Sequence, residues 1–305
     1  MFEGKCRIFL CSLCLMTITW APLLAKSQEV SSQVRTAATK TAKKAKISHE
    51  KLDGLNIALF EAIDNNYVGT VARLLAQGAR VNAEDRAGMT PLMHAALRGE
   101  YQITQLLLNK GAQVNDMDIF GVTALMQASW AGHIHIVQLL IAHGANANLQ
   151  SSEQTPKLRS AGVSALMGAC INGNYAVVKY LLSQNVNVNQ QDAEGQSALM
   201  YAAQQGNDQI VRLLLEKGAQ VEMKDEFGRT ALTIATIYNR YNIVCTLISD
   251  GTDVCTQDIH QMTPIVYASA LDRKAIYNIL RAAMYQRGNC AQGQDAGAAS
   301  QYQYQ

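Results

Sequence analysis

A period of 33 residues runs through most of this chain and leaves it few architectures to choose from. GMTPLMHAA (Gly88 to Ala96), GVTALMQAS (Gly121 to Ser129), GVSALMGAC (Gly162 to Cys170), GQSALMYAA (Gly195 to Ala203) and GRTALTIAT (Gly228 to Thr236) are variants of one phrase. Successive phrases begin 33 residues apart, except that Gly121 and Gly162 are separated by 41, so one unit carries eight extra residues. A unit this short cannot bury an apolar face alone. It must stack on its neighbours and share a core with them.

Each unit reads as a turn followed by two helices. Asp85, Asp118, Asp192 and Asp225 stand three residues before the Gly, the signature of a type I turn. Thr90, Thr123, Ser164, Ser197, Thr230 and Thr263 offer N-cap oxygens, and Pro91 and Pro264 follow where a missing N–H costs nothing. The first helix runs to Gly99, Gly132, Gly173 or Gly206. The second carries apolar residues at helical spacing, as in Ile103, Leu106 and Leu107 or Ile136, Leu139 and Leu140, which are expected in the core. It closes on Lys110, His143 or Lys217, then on Gly111, Gly144 or Gly218, a cation at the negative helix end before a left-handed residue. Asn185 holds the Gly place in the longer unit and is expected to adopt the same conformation.

This grammar resembles the ankyrin repeat, whose units read roughly D-x-x-G-x-T-P-L-H-x-A-A and end in G-A-x-V-N. The resemblance covers about Leu55 to Arg287 and seven units, with degenerate caps beginning at Leu55 and Met262. It implies an all-α solenoid of stacked helix-turn-helix units joined by turn or hairpin loops. One departure recurs: the consensus His is Met93, Met126, Met167 and Met200 in four units.

The rest of the chain divides into flanking segments. Residues 1–27 read as a signal peptide, with Lys5 and Arg7 ahead of an apolar run and Ala25 at a small-residue cleavage site. An uncleaved leader that anchors the chain in a membrane is the alternative. Residues 28–53 form a basic polar linker, 54–287 the repeat domain, and 288–305 a tail expected to be disordered. From Gly54 onward 17 Lys and Arg face 20 Asp and Glu, so the basic balance belongs to the leader and linker. No aromatic residues interleave the linker lysines for base stacking, and no nucleic-acid partner is expected. The plain repeats behind a leader fit a bacterial protein that is periplasmic or secreted.

Candidate chemistry is sparse. Neither a nucleophile elbow, a phosphate loop, an HExxH nor a CxxC pair is present, and the chain is not expected to be an enzyme or to hold a cofactor. His133 and His135 lie too far from His143 along a helix to share a metal with it, and the four recurrent Met read as a core ladder. No metal site is expected. Cys170 reads as a small core residue, while Cys255 and Cys290 fall about one repeat apart and are candidates for a disulfide in an oxidising compartment.

What remains is surface. The ankyrin resemblance implies that partners bind a concave face built from turn tips and exposed first-helix positions. The matching residues are Met89, Ile119, Phe120, Val122, Trp130, Phe227, Arg229 and Tyr238, with Trp130 expected to stand exposed as an aromatic anchor. The extra residues between Leu149 and Ala161 lengthen one turn beside this patch. The first reading is an exported module that scaffolds, chaperones or inhibits an unidentified protein, acting as a monomer. The second is a membrane-tethered redox or metal-stress accessory using its Met and Cys residues.

Overall fold

The computed structural model describes residues 54–152 and 161–287. The leader, the linker, most of the lengthened turn and the tail lie outside the described residues. Fourteen helices follow in pairs: α1 (Gly54–Asp64) and α2 (Val68–Ala76), α3 (Pro91–Arg98) and α4 (Tyr101–Asn109), α5 (Ala124–Ala131) and α6 (Ile134–Ala142), α7 (Ala165–Ile171) and α8 (Tyr175–Leu181). The array continues with α9 (Ala198–Gln205) and α10 (Asp208–Glu216), α11 (Ala231–Ile237) and α12 (Tyr241–Ser249), α13 (Pro264–Ala270) and α14 (Lys274–Arg287). First helices pack on first helices and second on second, giving the seven-unit all-α solenoid that the ankyrin resemblance implies. No helix among the described residues is long and apolar enough to cross a membrane.

The first helices begin where the hydroxyl residues place them. Thr90, Thr123, Ser164, Ser197 and Thr230 each accept a hydrogen bond from the amide three residues on. Thr263 has the extended N-cap backbone but makes no side-chain cap. Two caps are reciprocal: the N–H of Thr90 donates to Met93 Sδ at 3.4 Å, and that of Ser164 to Met167 Sδ at 3.5 Å. A thioether thus serves where a capping box usually carries Glu or Gln. All four recurrent Met are buried, at 5% exposure or less.

The second helices correct two expectations. Ile136, Val137 and Leu140 fill the core from α6, whereas Leu139 is half-buried at its edge, and Leu106 sits likewise beside Leu107. Asn185 does not adopt the left-handed conformation seen at Gly111, Gly144 and Gly218. Asn66 and Asn239 take that conformation after other helices, so residue type alone does not decide it. The chain instead leaves α8 through tighter turns, Ser183 N–H to Tyr180 O at 3.0 Å and Gln184 N–H to Leu181 O at 2.9 Å.

Side chains tie unit to unit at both ends. On one flank Asn82, Asn115, Asn148 and Asn189 accept from the backbone N–H of Gln113, Asn146, Asn187 and Gln220, and Glu222 takes over toward Asp253. At the opposite end the residues preceding four of the second helices, His133, Asn174, Asn207 and Arg240, reach the last carbonyls of the preceding unit's first helix. His133 contacts Leu97 O, Asn174 donates to Ser129 O and Trp130 O, and Arg240 donates to Gln204 O. Helix C-termini attract such donors whatever their chemistry, because their carbonyls lack partners in the helix. His133 is accounted for by this role.

Candidate interaction surface

The turn tips form a continuous ladder. Ile119 N–H donates to Ala87 O at 3.1 Å, Ser152 to Phe120 at 2.9 Å, Ala193 to Ala161 at 2.9 Å, Glu226 to Glu194 at 2.8 Å and Ile259 to Phe227 at 2.9 Å. Each tip donates from the residue after its Asp and accepts at the next. In the longer unit those two roles fall on Ser152 and Ala161, so the extra residues enter between them, at the tip itself. Ser151 stands in for the missing Asp there, its Oγ accepting from Val163 N–H at 3.0 Å.

The ladder needs close approach. Gly121 has φ +75°, and a Cβ added there would lie 2.5 Å from the Ser152 nitrogen. Only glycine combines that backbone with that contact.

Each Asp uses its first oxygen to hold its own tip. Asp118 Oδ1 accepts from Phe120 N–H at 2.9 Å and Val122 N–H at 2.8 Å, and Asp85, Asp192, Asp225 and Asp258 repeat the pattern. The second oxygen has a varied partner that the sequence reading missed. Asp85 Oδ2 is 2.9 Å from His94 Nε2, Asp192 Oδ2 accepts from the Tyr201 hydroxyl, and Asp258 Oδ2 from the Tyr267 hydroxyl. Asp225 pairs with the guanidinium of Arg229 at 2.7 Å. Burial, then the bond to the Asp192 carboxylate, pushes the Tyr201 phenol up and keeps it a donor. For His94, Tyr201 and Tyr267 the signal lay nine residues after the turn Asp, and for Arg229 four residues after it, places that read only as variable.

The structure sorts the expected surface residues into three groups. Val122 is 4% exposed and belongs to the core, contrary to expectation, because its position beside the turn points between units. Met89 and Phe120 are half-buried and pack against the core. Trp130 is half-buried rather than exposed: its ring edge lies 3.6 Å from where a Gly168 side chain would begin, filling the notch left by that glycine in the next unit. Removing Trp130 would therefore loosen packing as well as any interface. Ile119, Phe227 and Tyr238 are exposed, at 38, 42 and 45%. Phe227 lies beneath the Arg229 guanidinium, 4.6 Å from ring centroid to Cζ, and Tyr238 accepts a hydrogen bond from Gln204 at 2.9 Å. Ile259, at the next tip, is a further exposed apolar residue that the sequence reading did not single out.

The remaining candidates are buried or peripheral. Cys170 is fully buried and desolvation pushes its thiol far up, while Cys245 is a half-buried free thiol. Cys255 is disulfide-bonded, and Cys290 lies outside the described residues.

The comparisons agree with this architecture. A family model described as ankyrin repeats (3 copies) matches residues 55–151 and 166–258. The human ASB11 ankyrin repeat domain, a solved structure, is 24% identical, with a TM-score of 0.64 over 74% of this chain and 96% of that one. The curated proteins contain no match. The matched segments flank the lengthened turn and span most of the repeat region, so the chain belongs to the ankyrin-repeat family.

Proposed function

We propose that this chain is an exported protein-interaction module that binds a partner protein through the face formed by its turn tips and first helices. Mediating protein–protein contact is the general use of ankyrin repeats, and the same fold is typically a non-catalytic one. The observation that carries the reading is Phe227. It is exposed at a tip, has no core role, and is held by Arg229, which is itself fixed by a double contact to the buried carboxylate of Asp225. A rigid, exposed aromatic on a scaffold that spends no entropy on ordering it is what an interface anchor requires. Ile119, Tyr238 and Ile259 extend the apolar surface along the stack. Export rests on the charged, apolar leader.

The alternative, a redox or metal-stress accessory, finds less support. The Met sulfurs and Cys170 are inside the stack, where two of the thioethers already cap helices.

Affinity capture from the exporting cell, comparing wild type with Phe227→Ser and with Arg212→Ala on the far helix α10, tests the proposal. The partner is expected to be lost at least about tenfold with Phe227→Ser, the usual scale of an aromatic anchor, and retained with Arg212→Ala. Equal capture by all three proteins would remove this face from consideration.

A further inference from the structure

Within the reading of this face as an interaction surface, we infer that it selects a partner segment carrying a cationic side chain, Arg or Lys, flanked by apolar residues, and that Asp118 is the residue that selects it. The second oxygen of the turn carboxylate is matched by His94 for Asp85, Tyr201 for Asp192, Arg229 for Asp225 and Tyr267 for Asp258. In the longer unit Ser151 replaces the Asp and there is no second oxygen to match. Asp118 stands apart. Its Oδ1 holds the tip as in the others, but no donor reaches its Oδ2 among the described residues.

The residue positioned to reach it is Gln127, nine residues on as His94, Tyr201 and Tyr267 are, and its amide makes no hydrogen bond to Asp118. Asp118 is half-buried, its tip is bonded to the Asp85 tip through Ile119 N–H, and desolvation, with repulsion from Asp85, raises the proton affinity of its carboxylate despite two backbone donors. A carboxylate that has lost part of its water and has no counter-charge gains from a cation, and the gain exceeds that of a fully solvated surface pair. Phe120 and Ile119 beside it supply apolar contact for the stem and for flanking side chains. The four other units that carry this oxygen satisfy it internally. This one leaves it for a partner.

The test uses the full chain and a synthetic peptide library with random apolar-rich flanks around a fixed central Arg, Lys, Gln or Glu, read by fluorescence anisotropy. Peptides with Arg or Lys are expected to bind best, and the best of them to lose at least about tenfold in affinity to Asp118→Asn, which keeps the Oδ1 acceptor of the turn. Gln127→Tyr, which supplies the internal donor used at Tyr201, is expected to weaken the same peptides while raising thermal stability. Melting curves separate binding loss from misfolding. Binders that depend on Phe227 but are indifferent to central charge and to Asp118→Asn would overturn this inference and leave the interaction face standing. Binders indifferent to Phe227→Ser, Ile119→Ser and Asp118→Asn alike would overturn both.

Discussion

His94 Nε2 lies 2.9 Å from Asp85 Oδ2, and this contact fastens the first full unit to the cap that precedes it, because the other ring nitrogen reaches Asp64 of α1 at 3.3 Å. Arg98 joins Asp64 at 2.7 Å, and the Phe60 ring lies against the imidazole with centroids 5.0 Å apart. Burial opposes charge on both partners of the first contact. Their mutual hydrogen bond and attraction outweigh it, with Asp64 assisting His94 and the Met89 and Ala87 amides assisting Asp85. His94 therefore titrates above its ordinary 6.5 and Asp85 below its ordinary 3.8.

The sign of the pH dependence follows. Stability from a raised histidine is complete below its unfolded value and disappears as pH rises through the folded one. Stability from a lowered carboxylate is present above its unfolded value and disappears as pH falls through the folded one. The cap joint is strongest between the two ordinary values, 3.8 and 6.5, and loosens as pH rises through the raised His94 value or falls through the lowered Asp85 value. Protection factors of α1 amides, corrected for base-catalysed intrinsic exchange, should be higher at pH 6 than at pH 8, and His94→Gln should abolish the difference. An unchanged pH response in His94→Gln would show that other groups govern the cap.

Leu140 is fully buried and Leu139 only partly, on adjacent positions of one helix. Leu140→Ala should cost about 2–5 kcal/mol, and Leu139→Ala about 1 kcal/mol. Loss should spread from α6 to adjoining units, since each unit rests on its neighbours alone. Urea titrations giving equal losses for the two variants would contradict the assigned helix face.

Gly121→Ala should damage the tip ladder at one rung. The added methyl meets the Ser152 nitrogen at a backbone φ of +75°, and a side chain in that conformation costs about 1–2 kcal/mol before any clash. Exchange of the Ser152 amide should accelerate well before that of Ile259, whose rung is far along the stack. Uniform acceleration at both would mean that the ladder does not behave as separate rungs.

Cys255 is disulfide-bonded while Cys170 and Cys245 are free, and we propose Cys290 as its partner. Closing that loop should add about 3–4 kcal/mol by the chain-entropy account. Peptide mapping under non-reducing conditions should recover Cys255 linked to Cys290, and Cys290→Ser should lower the melting temperature as reduction does. A linkage to any other cysteine, or none, would end the assignment.

The sequence by itself determined much of what depends on a few neighbouring residues: the unit length, the turn at each Asp-x-x-Gly, five of the six hydroxyl caps, and the core positions Ile136 and Leu140, though not the conformation of Asn185 or the burial of Leu139. These follow from backbone geometry and helical period, which are read within a single unit. The tertiary structure alone decided which surface residues are available. Trp130 reads as an exposed anchor until Gly168, 38 residues later, opens a notch beside it. Val122 reads as a tip residue until the next unit covers it. Phe227 stays outside because Arg229 is held by Asp225, and the second oxygen of Asp118 has no donor among the described residues because Gln127 stands where three other units place His or Tyr. Exposure and pairing are set by contacts between units, and a period of identical spacing does not encode which contacts its variable positions will make.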